Sequence, residues 1–329
     1  MNVQAFDEAA VMPDAAALET VHRAIEDYNR ERPARELAMQ QRVTVVMGGY
    51  VLIAGCFLLL LFNSGLRDGF GIACGVAFFG GWWAYQQCLK PAREFQQGLR
   101  DRMLPVIFGF VEQVQYSKGT SPRFMERFPK DALLKYANAN HDDAVSGIYD
   151  TVRFMLSETE LTTGGKNKTV LFKGVIFHFV REARFPGTLA ATKRPGGFQK
   201  FVENFFSTGS LNVVESGDPR ADASHEFRTS NTTAAKPLIE GELVSALDYL
   251  ASVWRDDVVR IALSGHECFL MVPSKKNFFE LPDIAHDIDF NRHVLPMIRD
   301  LVTLLVTARL VSRIGAPEPE TKPEPEPDR

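Results

Sequence analysis

The segment from Asp283 to His293 holds a dense set of groups that could bind a metal ion. Its carboxylates and imidazoles belong to Asp283, His286, Asp287, Asp289 and His293. Oxygen and nitrogen ligands of this kind suit a divalent metal, which could activate water for hydrolysis. The same segment precedes a predicted helix, where an aspartate commonly caps the helix N-terminus. We therefore expect Asp287 or Asp289 to be an N-cap, with a metal-dependent hydrolase as the alternative.

Two other histidine clusters lack the residues that would complete a catalytic site. His266-Glu267-Cys268 only superficially resembles the H-x-E signature of zinc deaminases, and the P-C-x-x-C partner is missing. Residues 141–143 offer a base and carboxylates without a nucleophile that spacing can identify. His178 lies in an alternating strand pattern, where a hydrogen-bonded core histidine is expected. The sequence thus predicts no catalytic residue and no cofactor, and it favours a protein without enzymatic activity.

Two apolar runs near the start of the chain predict a membrane location. Residues 43–62 and 70–89 are separated by seven residues, and each is about the length that a helix needs to cross the roughly 30 Å hydrocarbon core. No A-x-A cleavage site follows the first run, which argues against a signal peptide. A buried soluble hairpin is the alternative, but the aromatic cluster at 82–85 is typical of a headgroup interface. We predict a transmembrane hairpin over residues 43–89.

Glycines on both runs predict close packing between helices. The candidate contact positions are Gly48, Gly55, Gly71 and Gly75. Gly71 and Gly75 form a G-x-x-x-G motif, which could pack against the other span, the favoured use, or against another copy of the chain. Neither run contains Asp, Glu, Lys, Arg or His, and an ion or proton path would need such groups. These features predict an anchor and argue against a transporter or pump.

Basic residues lie beside the two runs and predict the orientation. They are Arg30, Arg32, Arg35 and Arg42 before the first run, and Lys90, Arg93, Arg100 and Arg102 after the second. The turn between the runs holds only Arg67. Since basic residues stay on the cytoplasmic side, we expect both termini and the soluble region in the cytoplasm, with two spans in the inner membrane of a Gram-negative cell.

Net charge and cysteine usage limit the classes of molecule that we expect as binding partners. A formal charge of −4 over 329 residues gives no indication of nucleic acid binding. Only Cys268 lies in the soluble part, so neither a disulfide framework nor a zinc site can be assembled from cysteines. The expected partners are the lipid bilayer and either another protein or a second copy of the chain.

The periodicity outside the hairpin predicts both helices and strands. An amphipathic N-terminal helix is capped by Asp14, and its acidic residues favour packing on protein over lying on the membrane. Further predicted helices cover residues 91–115, 238–254 and 289–314, and predicted strands cover 151–161, 169–182, 188–192, 211–215, 225–229, 258–263 and 267–273. Residues 164–168 and 264–266 are expected to be hairpin turns, and Gly174 is expected to mark a bulge or a close backbone approach.

These elements predict an α+β fold with four parts. They are an N-terminal cytoplasmic helix at 1–42, the transmembrane hairpin at 43–89, a cytoplasmic α+β domain at 90–315 with a mainly antiparallel sheet packed with helices, and a disordered tail at 316–329. Alternating Pro and Glu residues keep that tail extended and solvated.

Several motifs follow the hairpin in a recognisable order. They are Asp-Ala-Val-Ser-Gly at 143–147, Ser-Glu-Thr-Glu-Leu at 157–161, Leu-Phe-Lys-Gly-Val-Ile-Phe at 171–177, Glu226-Phe227, Val272-Pro273 and Phe-Phe-Glu at 278–280. In this order, over residues 40–314, the chain resembles a bacterial domain-of-unknown-function family, number thirty-one thirty-seven. The resemblance implies the architecture, with no activity, ligand or catalytic residue. It also implies that the Phe-Lys-Gly-x-x-Phe strand is a structural core signature.

The sequence therefore predicts a membrane-anchored cytoplasmic binding or scaffolding module. One alternative is an accessory subunit of an envelope or transport complex, which would use the G-x-x-x-G face. The other is the metal-dependent hydrolase at residues 283–293.

Overall fold

The computed structural model describes residues 7–64, 67–194 and 211–313. These residues form two compact units. The helical unit comprises residues 13–110 and 280–296, and the sheet unit comprises residues 7–12, 111–279 and 297–313. The tail predicted at 316–329 lies outside the described residues, and the predicted domain boundaries stay predictions.

Two long helices build the helical unit, α1 (Ala15–Asn63) and α2 (Arg67–Ile107). The Asp14 side chain accepts a hydrogen bond from the Ala17 amide at 2.7 Å, so the predicted cap of α1 is confirmed. The helix expected to start at Pro91 is instead a continuation of α2. A proline removes one backbone hydrogen bond, and a helix that continues on both sides can tolerate that loss.

Half-buried residues on α1 and α2 repeat at spacings of three and four, as in a coiled coil. The residues with this spacing are Val43, Met47, Tyr50, Ala54, Leu58 and Leu61 on α1, and Phe70, Cys74, Ala77, Gly81 and Ala84 on α2, and further half-buried residues such as Gly55, Ala73, Gly75 and Gly80 lie between them. The Tyr50 ring fills the space beside Gly80 and Gly81, where an added Cβ would lie 2.6 and 3.0 Å from it. The Tyr50 hydroxyl donates to the Ala77 carbonyl at 2.5 Å. This tyrosine is therefore a principal contact between the two helices.

Among the described residues, one helix is long and apolar enough to cross a membrane, namely α1. The second span predicted on α2 is not confirmed. Indole, phenol and amide groups at residues 82–87 lower the hydropathy of that run, and this separates it from the more uniformly aliphatic run of α1.

In the residues that the structure describes, the sheet unit has seven strands, all paired antiparallel. They are β1 (Glu112–Lys118), β2 (Asn138–Tyr149), β3 (Val152–Thr162), β4 (Val170–Lys193), β5 (Asn212–Val214), β6 (His225–Thr229) and β7 (Arg260–Pro273). The order is β1-β2-β3-β4-β6-β5, and β7 pairs with β4 on its other edge. The predicted α+β class with a mainly antiparallel sheet is therefore confirmed.

Shorter helices complete the fold. They are α3 (Pro219–Ser224), α4 (Thr232–Ile239), α5 (Glu242–Val253) and α6 (Leu295–Arg313), with a 3-10 helix at Arg123–Arg127 and a π-helical turn at Phe290–Val294. The helix predicted at 238–254 is present as α5, but its predicted start is too early, because the chain breaks between α4 and α5. Gly241 adopts φ −143° and ψ −111° at that break, which lies outside the helical region.

The central strand β4 is 24 residues long and replaces two predicted strands. Its first half pairs with β3, its last residues pair with β6, and β7 follows it along both parts. The turn predicted at 264–266 is also wrong, since β7 is continuous and Gly265 takes a φ of +60° where its pairing with β4 shifts register. A bulge has the same glycine signal as a turn, which explains the error.

Gly174 in β4 makes the close approach predicted for it. Its φ is +152°, and an added Cβ would lie 2.2 Å from the carbonyl oxygen of Val272. Phe172 and Phe177 on either side of it are buried. The Phe-Lys-Gly-x-x-Phe strand is therefore part of the hydrophobic core, as the sequence indicates.

Candidate functional site

The predicted metal ligands between residues 283 and 293 belong to the helical unit, where they have separate partners. Oδ1 of Asp283 lies 2.7 Å from Nδ1 of His286, and this hydrogen bond lowers the pKa of Asp283. Asp289 accepts a hydrogen bond from the Arg292 amide at 2.7 Å, so it is the predicted N-cap. The Asp289 amide donates to Nδ1 of His293 at 2.9 Å. The structure does not gather these side chains around one point.

Arg32 of α1 supplies the positive charge beside this segment. Its guanidinium lies 2.7 Å from a carboxylate oxygen of Asp287 and 2.7 Å from one of Glu36. It also donates to the Ile284 carbonyl at 3.0 Å. Only 13% of the Arg32 side chain is exposed. Because a fixed guanidinium already pairs with Asp287, a metal ion would have to displace it, and we do not place a metal-dependent hydrolase here.

Asn29 fixes the backbone of the same segment. Its Nδ2 donates to the Ile288 carbonyl and its Oδ1 accepts from the Ile288 amide, both at 2.9 Å. Two turns earlier in α1, the His22 ring packs on Phe290 with centroids 4.1 Å apart. The N-terminal part of α1 therefore packs on protein, as its sequence favours. Residues 284–290 are the segment that contacts this part of the helix.

A carboxylate cluster in the sheet unit joins the two aspartates of the 141–143 motif to a glutamate that the sequence did not place beside them. Asp142, Asp143 and Glu158 each place one carboxylate oxygen within 4.8 Å of the others. Across the described ranges, it is the one group of three or more acidic, histidine or cysteine ligands with that geometry. The register between β2 and β3 shifts between His141 and Ala144, so the two aspartates sit at a bulge opposite Glu158.

Hydrogen-bond donors surround this cluster. The Tyr116 hydroxyl donates to the fully buried Asp143, and the Phe278 amide donates to Glu158. The Lys118 ammonium lies 3.8 Å from the half-exposed Asp142. Three carboxylate oxygens are suitable for a hard divalent cation, but these donors already stabilise their charge. The cluster was missed because only the bulge, which spacing does not indicate, brings residues 142 and 143 beside Glu158.

His178 in β4 belongs to a buried polar contact with β7. Its Nε2 is hydrogen-bonded to Glu267, whose other oxygen accepts from Arg127 at 2.7 Å. The imidazole is stacked on the Phe124 ring at 5.1 Å between centroids. Burial lowers the pKa of His178, and the Glu267 carboxylate opposes that effect. The expected hydrogen-bonded core histidine is observed.

Cys268 is completely buried next to this contact. Burial raises the pKa of its thiol. A thiol that is both inaccessible and protonated is not a nucleophile. Cys268 therefore belongs to the core of the sheet, whereas His266 is exposed and Glu267 is half-buried.

The apolar parts of α1 and α2 carry an uncovered hydrophobic surface. Its exposed large residues are Val45, Val46, Val51, Leu52, Ile53, Phe57, Leu59, Leu60 and Phe62 on α1, and Ile72, Val76, Phe78, Phe79, Trp82, Trp83 and Tyr85 on α2. A surface this extensive is typical of a membrane or protein interface. An added Cβ at any of the predicted packing glycines, Gly48, Gly55, Gly71 and Gly75, would meet no atom within 4 Å. The contacts between the two helices use Gly80 and Gly81 instead.

Comparisons with known proteins bear on the sheet unit. Residues 170–311 match the model of a family described as a protein of unknown function, DUF3137. No curated protein matches the chain. A crystal structure of the mycobacterial trehalose monomycolate transport factor A, TtfA, is 9% identical over 59% of this chain and 88% of that chain, with a TM-score of 0.32. That similarity is too low to assign a shared fold or role.

The family match begins at the first residue of β4 and ends within α6. The resemblance predicted from the sequence is confirmed over this range, while the hairpin and residues 40–169 lie outside the match. Over residues 170–311 the chain is therefore similar to the family of unknown function DUF3137.

Proposed function

We propose that the chain is a membrane-anchored binding or scaffolding module. In this proposal α1 and α2 cross the inner membrane as a hairpin, with both termini and the sheet unit in the cytoplasm. The sheet unit then binds a partner at the membrane and catalyses no reaction of its own.

The single observation that carries this proposal is the uncovered apolar surface of both helices. The hydrophobic effect makes such a surface unfavourable in water, at about 25 cal/mol per Å² of apolar area. Insertion into lipid removes that cost, because every backbone group within a helix is already hydrogen-bonded. The basic residues beyond both runs support the cytoplasmic placement of the termini.

Cysteine labelling tests the hairpin directly. Ser64→Cys is in the turn and Ser117→Cys is in β1, and each is introduced into the full-length chain. With two spans, a membrane-impermeant maleimide applied to intact spheroplasts should label Ser64→Cys, and should label Ser117→Cys only after permeabilisation. The unsubstituted chain gives the background from the native cysteines. If α1 alone crosses the membrane, the two positions lie on one side and label alike, which would contradict the hairpin.

We further propose that Gly71 and Gly75 contact a helix of another membrane protein or of a second copy. This corresponds to the accessory-subunit alternative, and the open space at both glycines supports it. Gly75→Leu should then remove a stoichiometric partner from the protein purified from native membranes, while the sheet unit stays folded. Gly98→Leu is the matched control, since Gly98 also lies in open space on α2 but outside the apolar run. Equal recovery of the partner with both variants would exclude this contact.

A further inference from the structure

Arg42 and Lys90 lie at nearly the same level of the helical unit. The contact of Tyr50 with Gly80 and Gly81 fixes the register of the two helices. Arg42 precedes Tyr50 by eight residues, or about 12 Å along α1, and Lys90 follows Gly81 by nine residues, or about 13 Å along α2. Since the helices are antiparallel, the two cations emerge at one depth, directly below the apolar runs.

The structure gives neither cation a carboxylate partner among the residues that it describes. Both side chains are exposed, and among the described residues neither forms an ion pair within 4 Å. The nearest carboxylate before Arg42 in α1 belongs to Glu36, which lies 2.7 Å from Arg32 and 3.1 Å from Gln40. Between Arg42 and Lys90 the chain holds no other charged residue than Arg67 and Asp68 in the distant turn. Glu94, four residues after Lys90, is exposed and lies beyond 4 Å of its ammonium, so the two positive charges remain available to an external anion.

Aromatic side chains lie immediately above this pair of cations. Trp82, Trp83 and Tyr85 are 57%, 62% and 43% exposed, and they precede Lys90 by five to eight residues on α2. Exposed indole and phenol rings settle at the level of lipid headgroups and glycerol. In a helix that crosses the bilayer, a basic residue one or two turns beyond such rings reaches the phosphate layer.

We propose that Arg42 and Lys90, together with the aromatic residues 82–85, form a binding surface for the headgroups of anionic phospholipids. This proposal rests on the membrane hairpin described under the proposed function. The two cations contribute the attraction for a phosphodiester, and the rings fix the depth at which they meet it. The surface distinguishes anionic from zwitterionic lipid in the cytoplasmic leaflet. Its ligand is a lipid headgroup and not a dissolved anion.

The test uses the full-length protein in nanodiscs of phosphatidylcholine and phosphatidylglycerol mixed three to one. Lipids retained after gentle transfer to detergent are counted by native mass spectrometry. In the lipids retained by wild type, the ratio of phosphatidylglycerol to phosphatidylcholine should be about fivefold or more above the ratio in the mixture. The double variant Arg42→Gln with Lys90→Gln should retain the two lipids close to the ratio of the mixture. The enrichment should also decrease with salt, because exposed charges are screened.

Arg23→Gln is the matched control, because Arg23 is an exposed cation on α1 far below the apolar run and pairs with Glu19. It should keep the wild-type enrichment. An undiminished enrichment in the double variant, or the same decrease in Arg23→Gln, would overturn the headgroup surface. Sodium carbonate extraction of the membranes separates this outcome from failure of the anchor: the double variant should stay in the membrane pellet, whereas release of the wild type would overturn the anchor and the surface together.

Discussion

Gly174→Ala is expected to prevent stable folding of the sheet unit, with a loss of more than about 4 kcal/mol in the free energy of unfolding. An alanine Cβ would lie 2.2 Å from the Val272 oxygen and 2.7 Å from the Ser274 nitrogen, and both are backbone atoms. The strand β7 cannot move away without losing its pairing with β4. Urea denaturation of the detergent-solubilised chain, followed by circular dichroism, measures the effect.

Gly265→Ala separates steric conflict from backbone conformation in this experiment. Gly265 also has a positive φ, of +60°, but an added Cβ meets nothing within 4 Å. Its substitution should therefore cost only about 1–2 kcal/mol, the penalty of the left-handed conformation. If both variants lose the same stability, the close approach of β4 to β7 at Gly174 is not the cause.

Asp300→Asn is expected to stabilise the protein at pH 8 and to lose that advantage toward pH 4. Burial raises the pKa of Asp300 from 3.8 to about 6, against the attraction of Lys276. The folded state therefore binds this proton more tightly than the unfolded state does, and stability due to Asp300 increases as the pH falls from 6 to 4. A difference of about two pKa units corresponds to roughly 3 kcal/mol at pH 8.

The measurement is the difference in unfolding free energy between Asp300→Asn and wild type at pH 8 and pH 4.5. Taking the difference cancels the titration of every other group. Asp131→Asn serves as the control, since 80% of the Asp131 side chain is exposed, and it should change stability by less than about 0.5 kcal/mol at either pH. A stability difference for Asp300→Asn that does not vary with pH would show that its carboxylate is not disfavoured by burial.

Local patterns predicted much of the fold where one rule decides the outcome. The cap at Asp14, the alternating strand around Phe172 and Phe177, and the class of the sheet follow from side-chain periodicity and hydrogen-bonding capacity. The predicted boundaries of helices and strands are wrong where one residue type is compatible with two local structures. Pro91 could start a helix or lie within one, and Gly265 could make a turn or a bulge. Pairing of β7 with β4 decided the outcome at Gly265, and periodicity does not contain that information.

The candidate site was less accessible to sequence reasoning than the fold. The cap at Asp289 is local and was predicted, whereas the neutralisation of Asp287 depends on Arg32, far away in the chain. The cluster of Asp142, Asp143 and Glu158 depends on a register shift between two strands. A list of ligand types along the sequence therefore overestimated the segment near residue 286 and missed the cluster in the sheet.

The length of β4 also determines when the sheet can form during synthesis. Its pairing with β3 is local, but its other edge is completed only by β7, where Gly174 lies opposite Pro273. Closing so long a stretch of chain is slow compared with forming a hairpin. While the ribosome makes the residues between these strands, Phe172, Phe177 and Phe179 of β4 can pair only with β3. The middle of the sheet can therefore form only after nearly the whole chain has been translated.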